Sequence, residues 1–229
     1  MPNTMKHLRP RLNRLRGLAR DTSAVALIEF ALSLPLLLIF GLGGLEVANY
    51  SLAHMRVSQV AISLADNASR AKQEVATGAP RMREWDVNEV FTAAALQGSD
   101  IDITQNGRLI LSSLEVNADG GQWIHWQRCF GDAPYSSSYG VEGDGATGTS
   151  VTGMGPAGGR VAAADGFAIM VVEVVYDYQP ITDTAFTDFM PDVPIRKFAA
   201  MYVRDDRDLD GVGSGLYNTD PVTTQNLCT

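Results

Sequence analysis

Residues 25–45 read Val-Ala-Leu-Ile-Glu-Phe-Ala-Leu-Ser-Leu-Pro-Leu-Leu-Leu-Ile-Phe-Gly-Leu-Gly-Gly-Leu, an apolar run of 21 residues holding one charge, Glu29. Coiled at about 1.5 Å per residue, a helix of that length spans roughly 30 Å, the thickness of a bilayer's hydrocarbon core. Past Leu45 the pattern turns from continuous to periodic. Val57, Ala61, Leu64, Ala68, Ala71 and Val75 recur at alternating spacings of four and three, and no Pro or Gly falls between Glu46 and Val75. That is one seam of an amphipathic helix, built from small side chains that allow close approach. Thr77-Gly-Ala-Pro80 ends it. Asp86-Val-Asn-Glu89 then reads as a capping box opening a short helix through Leu96, closed by Gly98.

From residue 99 the period falls to two. Ile101-Asp-Ile103 alternates, Asn106-Gly107 predicts a two-residue hairpin turn, and Leu109-Ile-Leu111 runs on into Leu114-Glu-Val116. Gln122–Phe130 predicts a strand with Trp123 and His125 on one face and Ile124 and Trp126 on the other. Residues 131–160 are rich in Gly, Ser and Thr and read as a long loop without a core of its own, mobile or holding a partner. Phe167–Tyr178 is β-branched, aromatic and nearly continuous, and ends before Pro180; Ile195–Val203 reads as its antiparallel neighbour. The expected class is α+β: a long N-terminal transmembrane helix, then a domain dominated by antiparallel β-strands. The expected divisions are an arm at 1–24, the membrane helix at 25–45, an amphipathic helical stem at 46–98 and a β-rich domain at 99–229.

Charge gives this layout a direction. The formal net charge is −8, yet Lys6, Arg9, Arg11, Arg14, Arg16 and Arg20 precede all 26 acidic residues. A basic end before a span stays in the cytoplasm, and the acidic body is then translocated. The arm is better read as this topology signal than as a nucleic-acid-binding segment. A cleaved secretory signal fits less well, because its apolar core has roughly 7–15 residues and its small-x-small site follows that core. Here the small-x-small triplet Ala24-Val25-Ala26 opens the run. A charge near the centre of a lipid-embedded helix costs about 2.5–3.5 kcal/mol. Glu29 lies about one turn inside the run, so it either leans toward the headgroups or has a partner.

Ala24-Val25-Ala-Leu-Ile-Glu29-Phe30 resembles a type IV prepilin processing site, in which a small residue precedes four apolar residues and then Glu-Phe. Together with Pro35 and the Glu46 that follows Gly-Leu-Gly-Gly-Leu, the run resembles the TadE/TadG-like family, pilin-like proteins of the tight-adherence (Flp-type) pilus system. Trp126-Gln-Arg-Cys129, Glu173–Pro180 and Val203–Asp208 also resemble segments of that family. Ala24 stands where the family usually carries glycine. The resemblance implies cleavage by a prepilin peptidase between Ala24 and Val25, leaving Glu29 as the fifth residue. It also implies pairing of Glu29 with the free amine of a neighbouring subunit, which offsets its desolvation.

Cys129 and Cys228 are the only cysteines, an even pair in a translocated domain, which suggests one disulfide. His7, His54 and His125 lie at no metal-ligand spacing. Asp206, Asp208 and Asp210 before Gly211 match the first half of a calcium loop, but Tyr217 stands where its bidentate Glu belongs, so a solvated acidic turn is the stronger reading. No nucleophile elbow, phosphate loop or zincin motif is present. The expected function is structural, without catalysis or cofactor: a minor pilin or pseudopilin-like component of tight-adherence (type IVb) pilus assembly. Its setting is the bacterial inner membrane, N-terminus cytoplasmic and body periplasmic, among other pilus components. Two alternatives are a signal-anchored periplasmic binding or scaffold module outside any filament, and an anchored hydrolase with a dispersed site.

Overall fold

The structure, a computed structural model, describes residues 23–181, 193–211 and 215–228. These fall into two compact units, one holding residues 23–48 and 181 and the other 49–180, 193–211 and 215–228. Helix α1 (Ser23–Arg70) runs unbroken past Pro35 and past Gly41, Gly43 and Gly44. In the first unit every residue from Val25 to Phe40 is exposed. The helix has one 18-residue window of mean hydropathy 2.4, none of it buried. It is the one described helix long and apolar enough to cross a membrane.

In the second unit α1 follows the seam read from the sequence, but only as far as Arg70. Val57, Ala61, Leu64 and Ala68 are buried, and Ala71 packs beside them outside the helix. The early stop has a physical cause. The buried guanidinium of Arg207 donates to the carbonyls of Ala68 and Ser69 at 3.3 and 2.8 Å, taking up acceptors that the last turn leaves open. Gln73 then bridges to Arg81 in extended conformation.

Helix α2 (Glu84–Gln97) begins earlier than the expected box at Asp86. Asp86 is its third residue, not its cap. Its carboxylate accepts the backbone N–H of Arg83 at 3.0 Å and also holds the Arg83 guanidinium. Gly98 closes the helix, donating to the Ala94 carbonyl at 3.0 Å.

The strand expected at 101–103 and the hairpin at Asn106-Gly107 do not form. Ser99–Ile101 is a 3-10 turn and α3 (Ile103–Asn106) is one helical turn, with Asp102 at φ 47 between them. The apparent alternation came from Ile103, buried in the helical core, and Ile101, half-buried against it. Gly107 starts a strand at φ −134, so it is not a left-handed turn residue. A Cβ there would lie 2.5 Å from the Ile103 carbonyl oxygen, and close backbone approach is what demands glycine.

Four antiparallel strands follow: β1 (Gly107–Val116), β2 (Gln122–Phe130), β3 (Ile169–Tyr176) and β4 (Ile195–Tyr202), ordered β2-β1-β3-β4. One face packs on α1 and α2 through Leu109, Leu111, Trp126, Met170, Val172 and Val174. The other face is covered by the glycine-rich segment, which does have a core. Met154 and Ala163, with Tyr139 and Val161, close over Leu114, Ile124, Ile169 and Val171. Covered on both sides, β3 is buried at every position, and its nearly unbroken apolar sequence follows from that. In β2 the expected sharing of a face by Ile124 and Trp126 fails. Ser113 pairs with Trp126 and Leu114 with Ile124, so His125 is an extra, bulged residue and the two side chains enter different cores.

Gly107→Ala should destabilise the chain by about 1–3 kcal/mol, because the added methyl must displace backbone. Thermal unfolding of the detergent-solubilised protein checks this; a loss under about 0.5 kcal/mol would refute the close approach.

Candidate functional site

In the first unit the site is a helix surface, not a pocket. α1 begins at Ser23, so the peptide bond between Ala24 and Val25 lies in its first turn. Glu29 is exposed, and so are Val25, Leu27, Ile28, Phe30 and Leu32 around it. Such a surface is stable only in lipid or against other apolar helices. The carboxylate is the one charged side chain within it. The basic arm and His7 lie outside the described residues.

In the second unit, the segments 126–129, 173–180 and 203–208 singled out in the sequence each carry a buried charge. Arg128 (1% exposed) is held by Glu84 (0% exposed) through a forked pair: Nη2 to Oε1 at 2.6 Å and Nε to Oε2 at 3.0 Å. Its Nη1 donates to the Gln127 carbonyl and to Glu142, both at 2.8 Å, and Gln225 donates to Glu84 at 3.2 Å. Burial pulls the Arg128 pKa down, but the hydrogen bonds and charges of Glu84 and Glu142 outweigh it and leave the group above its ordinary value. The Arg128–Glu84 pair thus ties α2, β2, the glycine-rich segment and the C-terminal tail. Beside it, Cys129 and Cys228 form a disulfide, the Cys129 N–H donates to the Asn226 carbonyl at 2.8 Å, and Leu227 bridges to Arg128. Closing a loop of that length contributes about 4–5 kcal/mol in the chain-entropy model.

Buried Glu173 accepts from the Ser138 backbone at 2.8 Å, from Ser137 at 3.2 Å and from Arg196 at 3.0 Å, fastening the glycine-rich segment to β3 and β4. Arg207 caps α1 as described. Polar residues just after β1 and at the start of β2 hold the rest of the long segment. Asn117 donates to the Gly145 and Gly148 carbonyls at 2.7 Å each, and the Gln122 side chain pairs with the backbone of Ala163.

None of these nodes forms a reaction centre. Ser113, Glu115 and His125 lie together, but Ser113 donates to Glu115 at 2.6 Å and His125 contacts the same carboxylate at 2.8 Å. A nucleophile needs the imidazole beside its hydroxyl, and here the carboxylate stands between them. Trp123 stacks on His125 with ring centroids 3.9 Å apart. A cleft of about 350 Å³ opens beside the disulfide, lined by Gln127, Val141, Glu142, Leu227 and Cys228; its one acid is already paired with Arg128. His54 packs edge-on to Tyr50, which also meets Tyr178.

Among the described residues no group of three or more His, Cys, Asp or Glu is placed to hold a metal ion. Of the acidic run, Asp208 accepts from the Tyr217 hydroxyl and, at 3.0 Å, from the Asp210 backbone. The Tyr217 hydrogen bond holds the Asp208 carboxyl below its usual range, against a smaller effect of burial. The residue that spoils the calcium loop is therefore the one that occupies its middle carboxylate.

Sequence reasoning passed over Arg128, Glu84, Glu142, Glu173 and Arg207. A charge inside a buried strand bearing Trp123, Trp126 and Phe130 was the available signal for Arg128. Glu84 lies 44 positions away and gave none.

Residues 24–66 match the TadE-like protein family. The TadE-like segment starts at Ala24, contains Glu29 and ends within α1, so it covers the exposed apolar helix and most of the packed stem but none of the sheet. No curated protein and no solved structure matches the chain.

Arg128→Met should cost about 3–5 kcal/mol, since it leaves Glu84 charged and buried. The double variant Glu84→Gln/Arg128→Met should recover part of that loss in thermal unfolding. Tyr217→Phe tests the Asp208 contact through pH. A lowered folded-state pKa stabilises above the unfolded value and is lost as pH falls through the folded one. The variant should therefore be less stable than the parent near neutrality, with the gap closing below about pH 3.9. A gap that persists unchanged at lower pH would assign the loss to packing.

Proposed function

We propose that this chain is a non-catalytic, minor pilin or pseudopilin-like component of a tight-adherence pilus assembly system. The carrying observation is the coincidence of the TadE-like match with an exposed apolar helix whose one charge is Glu29. In this reading residues 25–45 span the inner membrane, the basic arm stays in the cytoplasm, and the disulfide-bearing body lies in the periplasm. A prepilin peptidase cuts between Ala24 and Val25. The new amine of one subunit then pairs with Glu29 of its neighbour, which sets helix register and offsets the cost of a carboxylate in lipid. The body supplies a folded head that contacts other pilus components.

The N-terminus of the mature protein, read by mass spectrometry from native membranes, checks the processing step. The expected start is Val25. Glu29→Leu should leave membrane insertion intact and reduce pilus assembly at least about tenfold, because only subunit pairing is lost. An anchored module that joins no filament predicts an intact Met1 and full function in that variant.

A further inference from the structure

The stem of α1 has two apolar seams, and the fold uses one. Ala53, Val57, Val60, Ala61, Leu64 and Ala68 are buried against the sheet and α2. On the opposite side Leu52 (53% exposed), Met55 (49%) and Ile62 (50%) face solvent, with Gln59 also exposed between them. Positions 52, 55, 59 and 62 are spaced three, four and three. In the sequence this continues the same spacing from Leu45 and Ala48. It is the repeat by which one helix seats the knobs of another. Lipid cannot cover all of it. The membrane-length apolar run already ends at Leu45, and Ile62 lies 17 residues past it in the sequence.

Three observations select the occupant. The spacing fits a helix of equal pitch, not a globular surface. Gln59 places one polar side chain among apolar ones, and its match at the same height is a second Gln59, as for a polar residue that sets coiled-coil register. The flanking positions carry no like-charge pair: in parallel register Arg56 meets Ser51, and Ser58 meets Ser63. Asp66, next in the spacing, is held by Arg70 at 2.8 Å and Arg204 at 3.3 Å, which ends the seam. Copies inserted in one bilayer with one orientation start their stems at one height, so a parallel, in-register pair needs no adjustment. We propose that the Leu52–Met55–Gln59–Ile62 seam pairs with the same seam of a second copy of this chain. The pairing is independent of cleavage at Ala24 and of pilus assembly.

The native cysteines are disulfide-bonded and no other is present, so an introduced thiol is the sole target of a short bismaleimide. In proteoliposomes of the purified full chain, diluted in excess lipid, Met55→Cys and Ile62→Cys should give at least about tenfold more covalent dimer than Asn67→Cys, an exposed position off the seam. Adding Gln59→Arg to Met55→Cys should cut the dimer by about tenfold, since two guanidinium groups would meet at the seam. These side chains are exposed, and an unchanged melting temperature confirms that each variant folds. Equal crosslinking at positions 55, 62 and 67 would overturn the proposal. So would crosslinking indifferent to Gln59→Arg, or capture in native membranes of a chain of different mass with no covalent dimer.

Discussion

A guanidinium shut away from water governs the folded body. Moving an unpaired Arg side chain into a protein interior costs several kcal/mol, and the penalty is offset only when every donor finds an acceptor in good geometry. Arg128 comes close to that demand, since each of its three nitrogens donates, drawing on Glu84 from α2, Glu142 from the glycine-rich segment and the carbonyl of its own neighbour in β2. Each partner belongs to a different stretch of chain. Satisfying one charge therefore fixes how those stretches meet, and the Cys129–Cys228 bond beside it prevents the tail from leaving. Apolar packing supplies most of the driving force in such a domain, but it is tolerant of small slides. The forked ion pair is not, because its hydrogen bonds weaken steeply with angle.

The same logic recurs at Glu173 and Arg207. A buried carboxylate holds backbone and hydroxyl donors of a loop over the second core, and a buried guanidinium closes the end of the longest helix. Glycines let the loop approach the sheet. At Gly145, with φ +76, a Cβ would lie 2.1 Å from the Gln122 carbonyl oxygen. A segment poor in apolar residues thus becomes a lid on the sheet, because the strand beneath lends it polar side chains as well as a hydrophobic surface.

The long helix obeys a different constraint in each unit. From Val25 through Phe40 it is apolar but for Glu29 and Ser33, and every residue is exposed, as a lipid-facing span requires. From Ala53 the buried side carries small residues, and four of the seven buried apolar positions are alanines, which lets the helix lie close to the sheet. The opposite side retains large apolar groups in water, which monomeric stability alone does not select.

Legibility followed the range of the interactions involved. The membrane-length run, the seam from Val57 to Ala68, the strands at 122–130 and 169–176 and the Gly98 stop were readable, because each depends on periodicity or conformational preference within a few residues. The sequence by itself determined that much, together with the TadE-like segment at 24–66. Only the tertiary structure decided that Asn106-Gly107 is a helix-to-strand junction, that a bulge at His125 sends Ile124 and Trp126 to opposite cores, and that Arg207 stops α1 at Arg70. In each of those cases the deciding partner is Ile103 in the core, a residue of the neighbouring strand, or a guanidinium more than a hundred positions away. Local pattern reports a residue's preferences. Contact across the chain sets which of them is satisfied.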